Sequence, residues 1–277
     1  MEMVFMKNRL YGAMIGDISG SRYEFSPNKH KTGYPVLDTG CRFTDDTVMT
    51  IAVASALMMH KENGIPFDTA VISEMQRLGR QYPHAGYGGS FYRWLMTENP
   101  LPYGSWGNGS AMRVSPCGFA ATSLEEALEL AKISASVTHN HPAGIAGAQA
   151  TAACIYLCRT GAEKADIRAY VEREFYRLDQ TLDEIRPHYH FDVSCFGSVP
   201  QAIECFLESE SYTDTIRNAI SLGGDCDTMG AIGGAIAWAY YCRTAEPDNS
   251  LTEEAAQFLP PEFRRISDRF DIFCENR

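Results

Sequence analysis

The chain has 277 residues, 45% of them hydrophobic and 21% charged, which supplies a sizeable buried core and excludes an intrinsically disordered chain. Its 24 Lys and Arg against 35 Asp and Glu give a formal charge of -11, and no basic run exceeds Arg264-Arg265, so a nucleic-acid polymer is not the expected partner. Nine cysteines without a CxxC pair, and an opening MEMVFMKNRLYG without a secretory leader, read as reduced thiols in a cytoplasmic protein. Apolar stretches interrupted by Gly, Thr and Ser well short of about 18 residues exclude a membrane span.

Abundant alanine and long 3.6-residue periodicity predict an all-α, single-domain helical bundle over residues 1–277, expected to be a monomer. In chain order, a helix is expected over 9–19, with Asp17 near its end. Phe43-Thr44-Asp45-Asp46-Thr47 stands directly ahead of an apolar helix over 45–60, where helix capping is the plain reading of the hydroxyl and carboxylates. A one-sided helix over 67–82 leads into 83–110, a glycine-rich stretch read as a long loop, which inside a compact domain is usually functional.

Ser123-Leu-Glu-Glu126 has the pattern of a capping box opening a helix over 124–137. Pro142 suits the first position of a helix over 142–159, and Gly161 ends it. Helices over 162–178, 199–207, 213–222, 228–242 and 261–273 complete the chain. The segments 48–59, 143–157 and 229–241 are apolar or small all round, so they belong in the middle of the bundle. The glycines of GAIGGAIAWA would let helix backbones approach closely there.

The start of the helix over 228–242 repeats the chemistry of 43–47: Gly223-Gly224-Asp225-Cys226-Asp227-Thr228 again brings two carboxylates and a hydroxyl. In an extended segment Asp225 and Asp227 fall on one face. Two such helix starts form a hard-oxygen set of the kind that Mg²⁺ or Mn²⁺ prefers. Two divalent ions about 3.5–4 Å apart would offset the cost of desolvating four carboxylates together and would let an acidic protein hold an anionic ligand. His139-x-His141 and His188-x-His190 lack the helical spacing and the cysteine pair of a zinc site.

FTDDT, GDCDTMGAIGGAIAWA and the opening GAMIGDISGSRYEF, with GNGSAMRVSP and SVTHNH between them, resemble the ADP-ribosylglycohydrolase family over most of the chain. The resemblance implies a compact all-α fold, a binuclear Mg²⁺ or Mn²⁺ centre, and cleavage of the bond between C1″ of ADP-ribose and an acceptor, a protein side chain or a small molecule. It implies metal ligation by Thr44, Asp45, Asp46, Asp225, Asp227 and Thr228. Glu24 matches a glutamate whose loop covers the distal ribose, and Asp17 an orienting group behind the ligands.

Within the GNGSAMR segment, Asn108, Gly109, Ser110 and Met112 are assigned to ligand binding, and Arg113 to either a phosphate or a buried carboxylate. Tyr87, Gly88 and Ser90, in a glycine-aromatic block that also holds Phe91 and Trp94, are assigned to substrate contact. Trp106 is the candidate for stacking on adenine, and His139 is placed beside the diphosphate or ribose. Only Glu98 lies between Gly79 and Gly118 as an acidic residue, where arginine-linkage enzymes use another, so the acceptor stays open. Hydrolysis at the anomeric carbon, with a catalytic carboxylate drawn from Glu24, Asp45, Asp46 and Asp227, is the expected mechanism. The alternatives are a non-catalytic ADP-ribose-binding module and a metal-dependent ADP-ribose pyrophosphohydrolase.

Overall fold

The computed structural model describes residues 6–243 and 249–277; the first five residues of the opening segment read for a leader lie outside them. The described residues form fifteen helices. These are α1 (Tyr11–Gly20), α2 (Asp45–Asn63), α3 (Phe67–Gln81), α4 (Gly89–Met96), α5 (Gly109–Met112), α6 (Ser115–Ala120), α7 (Leu124–Ser136) and α8 (Pro142–Arg159). They continue with α9 (Lys164–Glu174), α10 (Leu182–Ile185), α11 (Cys195–Leu207), α12 (Tyr212–Leu222), α13 (Cys226–Tyr241), α14 (Asn249–Ala256) and α15 (Pro261–Glu275). No strand occurs among the described residues, only an isolated antiparallel bridge between Gly107 and Ser194. The chain is all-α.

Helix α13 is the centre, buried from Cys226 through Ala239 and packed on α1, α8, α11 and α12. Its glycines make this possible. Gly12, Gly16 and Gly20 recur every four residues on α1, and a methyl group on Gly16 would overlap the Gly230 carbonyl while one on Gly20 would overlap that of Cys226. Gly234 stands equally close to Gly12. The backbones of α1 and α13 therefore touch along their length, and Asp17 and Asp227 come together on facing helices. Helix α2 is buried through most of its length, as its all-round apolar sequence requires.

Several local signals act as the sequence suggests. Thr44 caps α2, Gly64 ends it with φ +71°, and Pro142 opens α8 behind His141, whose Nδ1 accepts from the Ala143 N–H at 3.1 Å. Others differ. Ser123 accepts from the Glu126 N–H, but the Glu126 carboxylate reaches the N–H and hydroxyl of Thr122, so the box does not close on Ser123.

The expected loop over 83–110 contains α4, because Phe91, Trp94 and Leu95 form a one-sided buried stripe that the flanking glycines obscured. The helix expected over 162–178 is shorter. A Glu163–Asp166 capping box starts it at Lys164, and Phe175 leaves helical geometry. Helix α11 begins at Cys195 rather than 199, with Pro200 inside it, and α13 begins at Cys226 rather than 228, which puts Asp227 and Thr228 in its first turn.

Candidate active site

The N-termini of α2 and α13 converge where α1 ends. Asp17, fully buried on α1, accepts from the backbone N–H of Thr44 at 2.9 Å and of Thr47 at 3.0 Å, and from the Thr44 hydroxyl at 2.6 Å. One carboxylate thus takes the free N–H groups at the start of α2 and locks that helix onto α1. Asp46 follows in the same turn. Its Oδ2 accepts from the Thr228 hydroxyl at 3.4 Å, whereas its Oδ1 is buried without a partner. On α13, Asp225 Oδ2 accepts from the Asn108 amide at 2.7 Å, and Asp227 Oδ1 accepts from the Thr228 N–H.

Two acidic groupings result. Oxygen atoms of Asp17, Asp46 and Asp227 lie within 4.8 Å of one another, as do those of Glu24, Asp225 and Asp227. Asp227 belongs to both. Asp45 belongs to neither; it faces the Gly86 turn on the cleft wall. The Thr44 hydroxyl sits between two of these acids, 2.6 Å from Asp17 Oδ1 and 3.3 Å from Asp46 Oδ2.

The turn before α13 needs its glycines, since both Gly223 and Gly224 hold φ +75°, a region that side-chain-bearing residues rarely adopt. Lys29 braces this turn from the far side, its ammonium donating to the carbonyls of Leu222, Arg186 and Tyr189.

The acids form the floor of a cleft of about 390 Å³. Its walls include Gly86, Gly88, Gly89 and Ser90 on one side and Gly107, Asn108, Gly109, Met112 and His139 on the other, with Tyr103, Ser105, Phe191 and Val193 completing them. The backbone pairing of Asn108 N–H with the Val193 carbonyl and of Cys195 N–H with the Trp106 carbonyl ties the two loops together. Phe25, next to Glu24, stacks on Phe191 with ring centroids 6.0 Å apart.

His139 Nδ1 lies 2.7 Å from the Thr138 hydroxyl, which also accepts from Arg113, while Nε2 faces Gly107 and Gly109. Burial first, and then the Arg113 charge, hold the imidazole well below its ordinary pKa, so it is neutral. Arg113 is fully buried and donates to the carbonyls of Gly109 and Ser134 and to the Thr138 hydroxyl, and no carboxylate pairs with it among the described residues.

Three substrate-binding expectations are not brought into the cleft. Trp106 is 53% exposed and stands outside the lining, because its loop turns it away from the side that carries Gly107 and Gly109. The Ser110 hydroxyl points inward to the Gly144 carbonyl at 2.7 Å. Tyr87 turns its phenol inward, buried without a partner, with its ring against Phe91. Phe191 and Val193 escaped sequence reading; the signal was their alternation with Asp192 just ahead of the Ser194 cap, which left two large apolar residues about half exposed.

Burial raises each carboxyl of the site. Burial, reinforced by neighbouring acids, pushes Asp45 up to about 8 and Glu24 up to about 7, and Asp46 and Asp227 well above the usual range. The folded chain keeps protons that the unfolded chain sheds above about pH 4. Stability of chelator-treated protein is therefore expected to fall as pH rises toward about 8, and added Mg²⁺ to flatten that slope. Urea midpoints between about pH 5 and about pH 8, with and without Mg²⁺, test this; a flat profile without the ion would mean that these acids are ionised at little cost in the fold.

The family model described as ADP-ribosylglycohydrolase matches residues 6–270. The chain is 26% identical to ADP-ribosylhydrolase ARH3 of Mus musculus over 319 aligned positions, covering 87% of this chain and 84% of that protein, and 26% identical to the human ARH3 over 318. It is also 26% identical to the ADP-ribosyl-[dinitrogen reductase] glycohydrolase of Rhodospirillum rubrum, with 83% of each chain covered. A solved structure titled ADP-ribosylglycohydrolase-related protein complex superposes with a TM-score of 0.71 at 23% identity, covering 98% of both chains, which bears on the fold. With the family model spanning nearly the whole chain, from α1 to α15, this protein is a member of the ADP-ribosylglycohydrolase family of enzymes.

Proposed function

We propose that the protein is a divalent-metal-dependent hydrolase that removes ADP-ribose from a modified protein side chain or small molecule by cleaving the C1″ glycosidic bond. The observation that carries this reading is the pair of carboxylate groupings sharing Asp227 on the floor of a glycine-walled cleft. The residues fit two hard cations: the oxygens are carboxylate and hydroxyl, among the described residues no Lys or Arg hydrogen-bonds to the five acids Glu24, Asp46, Asp225, Asp227 and Asp17, and Asp46 Oδ1 is buried without a partner. Asp46, Asp225, Asp227 and Thr228 would hold them, with Thr44 and Asp45 at the α2 end and Glu24 from across the cleft. Bound Mg²⁺ or Mn²⁺ would compensate this charge, orient the ribose and lower the pKa of a water near C1″.

The chain's own groups divide the remaining work. Asn108 fixes the orientation of Asp225, and Asp17 fixes the start of α2, so the carboxylates meet at set positions. Glu24, which meets Asp225 and Asp227 on the floor of the cleft, is placed to take the proton of an attacking water. Gly107 and Gly109 leave room for a diphosphate beside the neutral His139, whose Nε2 adds a polar contact without a competing charge. The names of the curated relatives support an ADP-ribosyl substrate.

Incubation with arginine-, serine- and ester-linked ADP-ribose substrates, with Mg²⁺, Mn²⁺ or chelator, is expected to release intact ADP-ribose from at least one of them. Chelation should abolish turnover and the ion restore it. Release of AMP would replace this reading with pyrophosphate hydrolysis, tight binding without turnover would make the protein a reader, and activity in verified metal-free protein would remove the ions from the reaction.

A further inference from the structure

The Thr138 hydroxyl stands between a buried cation and a ring nitrogen. It accepts from Arg113 Nη2 at 2.8 Å and lies 2.7 Å from His139 Nδ1, while the Ala135 carbonyl, the other acceptor near its proton, is 3.4 Å away. A hydroxyl has one proton to give, and O–H donation spans about 2.5–3.0 Å. The proton therefore goes to Nδ1. In the reverse assignment a ring N–H would join the guanidinium as a second donor on the same oxygen, and the hydroxyl proton would be left with the distant carbonyl. The imidazole is neutral, so accepting at Nδ1 leaves its single proton on Nε2.

Nε2 faces the cleft. It makes no hydrogen bond among the described residues, and methyl groups added to Gly107 and Gly109 would lie 3.6 and 3.3 Å from it. Arg113 Nη1 also donates to the Gly109 carbonyl at 3.0 Å, so one guanidinium holds both the glycine beside Nε2 and the hydroxyl behind Nδ1. No carboxylate pairs with that guanidinium among the described residues, and its charge polarises the Thr138 O–H toward the ring. Behind the imidazole, the Tyr103 ring lies 6.0 Å away and Gly144 packs so closely that an added methyl would come within 2.9 Å of His139 Cβ.

We propose that Arg113 and Thr138 are positioning residues: the hydrogen-bond chain from Arg113 through Thr138 to His139 holds Nε2–H as a fixed donor between Gly107 and Gly109, aimed at a phosphate oxygen of the substrate. This rests on the reading of the cleft as an ADP-ribosyl site.

Two-bond ¹⁵N–¹H correlation spectra of the full chain in Mg²⁺, without nucleotide, report the tautomer of each of the seven histidines, and His139→Gln identifies the signal of interest. His139 is expected to carry its proton on Nε2, with Nδ1 at the shift of a nitrogen that accepts a hydrogen bond. A proton on Nδ1, or on both nitrogens, would overturn the proposal. Thr138→Val, close to isosteric but without the hydroxyl, should move the Nδ1 signal toward that of an unbonded ring nitrogen. It should also weaken ADP-ribose binding, measured by calorimetry, roughly tenfold, the scale of one hydrogen bond to a charged group. Thr138→Ser, which keeps the hydroxyl, should keep both near their wild-type values. An unmoved Nδ1 signal or wild-type affinity in folded Thr138→Val, or an equal loss in Thr138→Ser, would each count decisively against the chain. Circular dichroism establishes folding, and if Thr138→Val does not fold, the wild-type spectrum decides. The spectra need neither ligand nor turnover: an Nε2 proton in a protein that does not bind ADP-ribose would sink the hydrolase reading and the phosphate contact with it, whereas an Nδ1 proton in one that does would sink this proposal alone.

Discussion

Asp227→Asn is expected to lower turnover at least roughly 10²-fold, because both ion-dependent activation of water and positioning of the ribose would pass through the residue common to both carboxylate groupings. The fold should not suffer. Asn retains an oxygen to accept from the Thr228 N–H, and the substitution removes one negative charge from a crowded, buried set. Chelator-treated Asp227→Asn is therefore expected to be at least as stable as the chelator-treated wild type, the opposite of what loss of a structural contact would give. Asp46→Asn should behave alike, since its Oδ1 has no partner to lose. Steady-state hydrolysis, metal analysis and urea unfolding of the same preparations decide the matter. Near-normal turnover in both variants would reduce these residues to helix caps.

Gly16→Val should act on the fold itself. The α-hydrogen that valine would replace faces the Gly230 carbonyl on the touching helix, where no side chain can rotate aside, so accommodation requires that α1 and α13 separate. Overpacking in a well-packed core costs about 1–3 kcal/mol, and a backbone-to-backbone contact belongs at or above the top of that range. Because Asp17 rides on α1 and Asp227 on α13, the same variant should also bind Mg²⁺ more weakly. Gly161→Ala provides the contrast: its added methyl meets open space, and its cost comes only from φ +104°. Equal urea midpoints for wild type and Gly16→Val would mean that the helices are not held at this separation in solution.

The helical fold and its central elements were legible because long apolar segments with small residues leave few other arrangements, as GAIGGAIAWA at α13 illustrates. The repeated pattern of two carboxylates and a hydroxyl at 43–47 and 223–228 drew attention to the two helix starts that the fold does bring together. Sequence could not tell which acids would share a grouping. Asp17 falls within a grouping and Asp45 within neither, since direction depends on how α1 meets α2, a tertiary matter. Helix α4 was hidden because its three buried apolar residues span less than two turns between glycine-rich flanks. Trp106 was misplaced for a related reason: the glycines around it mark a sharp turn, but not the side to which the ring points.

The Lys29 brace has a further consequence for Glu24. On one side of Glu24 the chain is pinned by Tyr23, buried against Tyr34; on the other, Lys29 is tied to three carbonyls. The short run between them is held more lightly, by the Ser26 N–H on the Tyr23 carbonyl and by the Phe25–Phe191 stack, and even fully drawn out those few residues span less than about 20 Å. Glu24 is thus on a leash: any excursion from the cleft is limited to that reach and would part the stacked Phe25 and Phe191 rings, while the Gly223–Gly224 turn stays anchored through the same lysine. A shift of Glu24 within that reach would leave in place the helix start that carries Asp225 and Asp227.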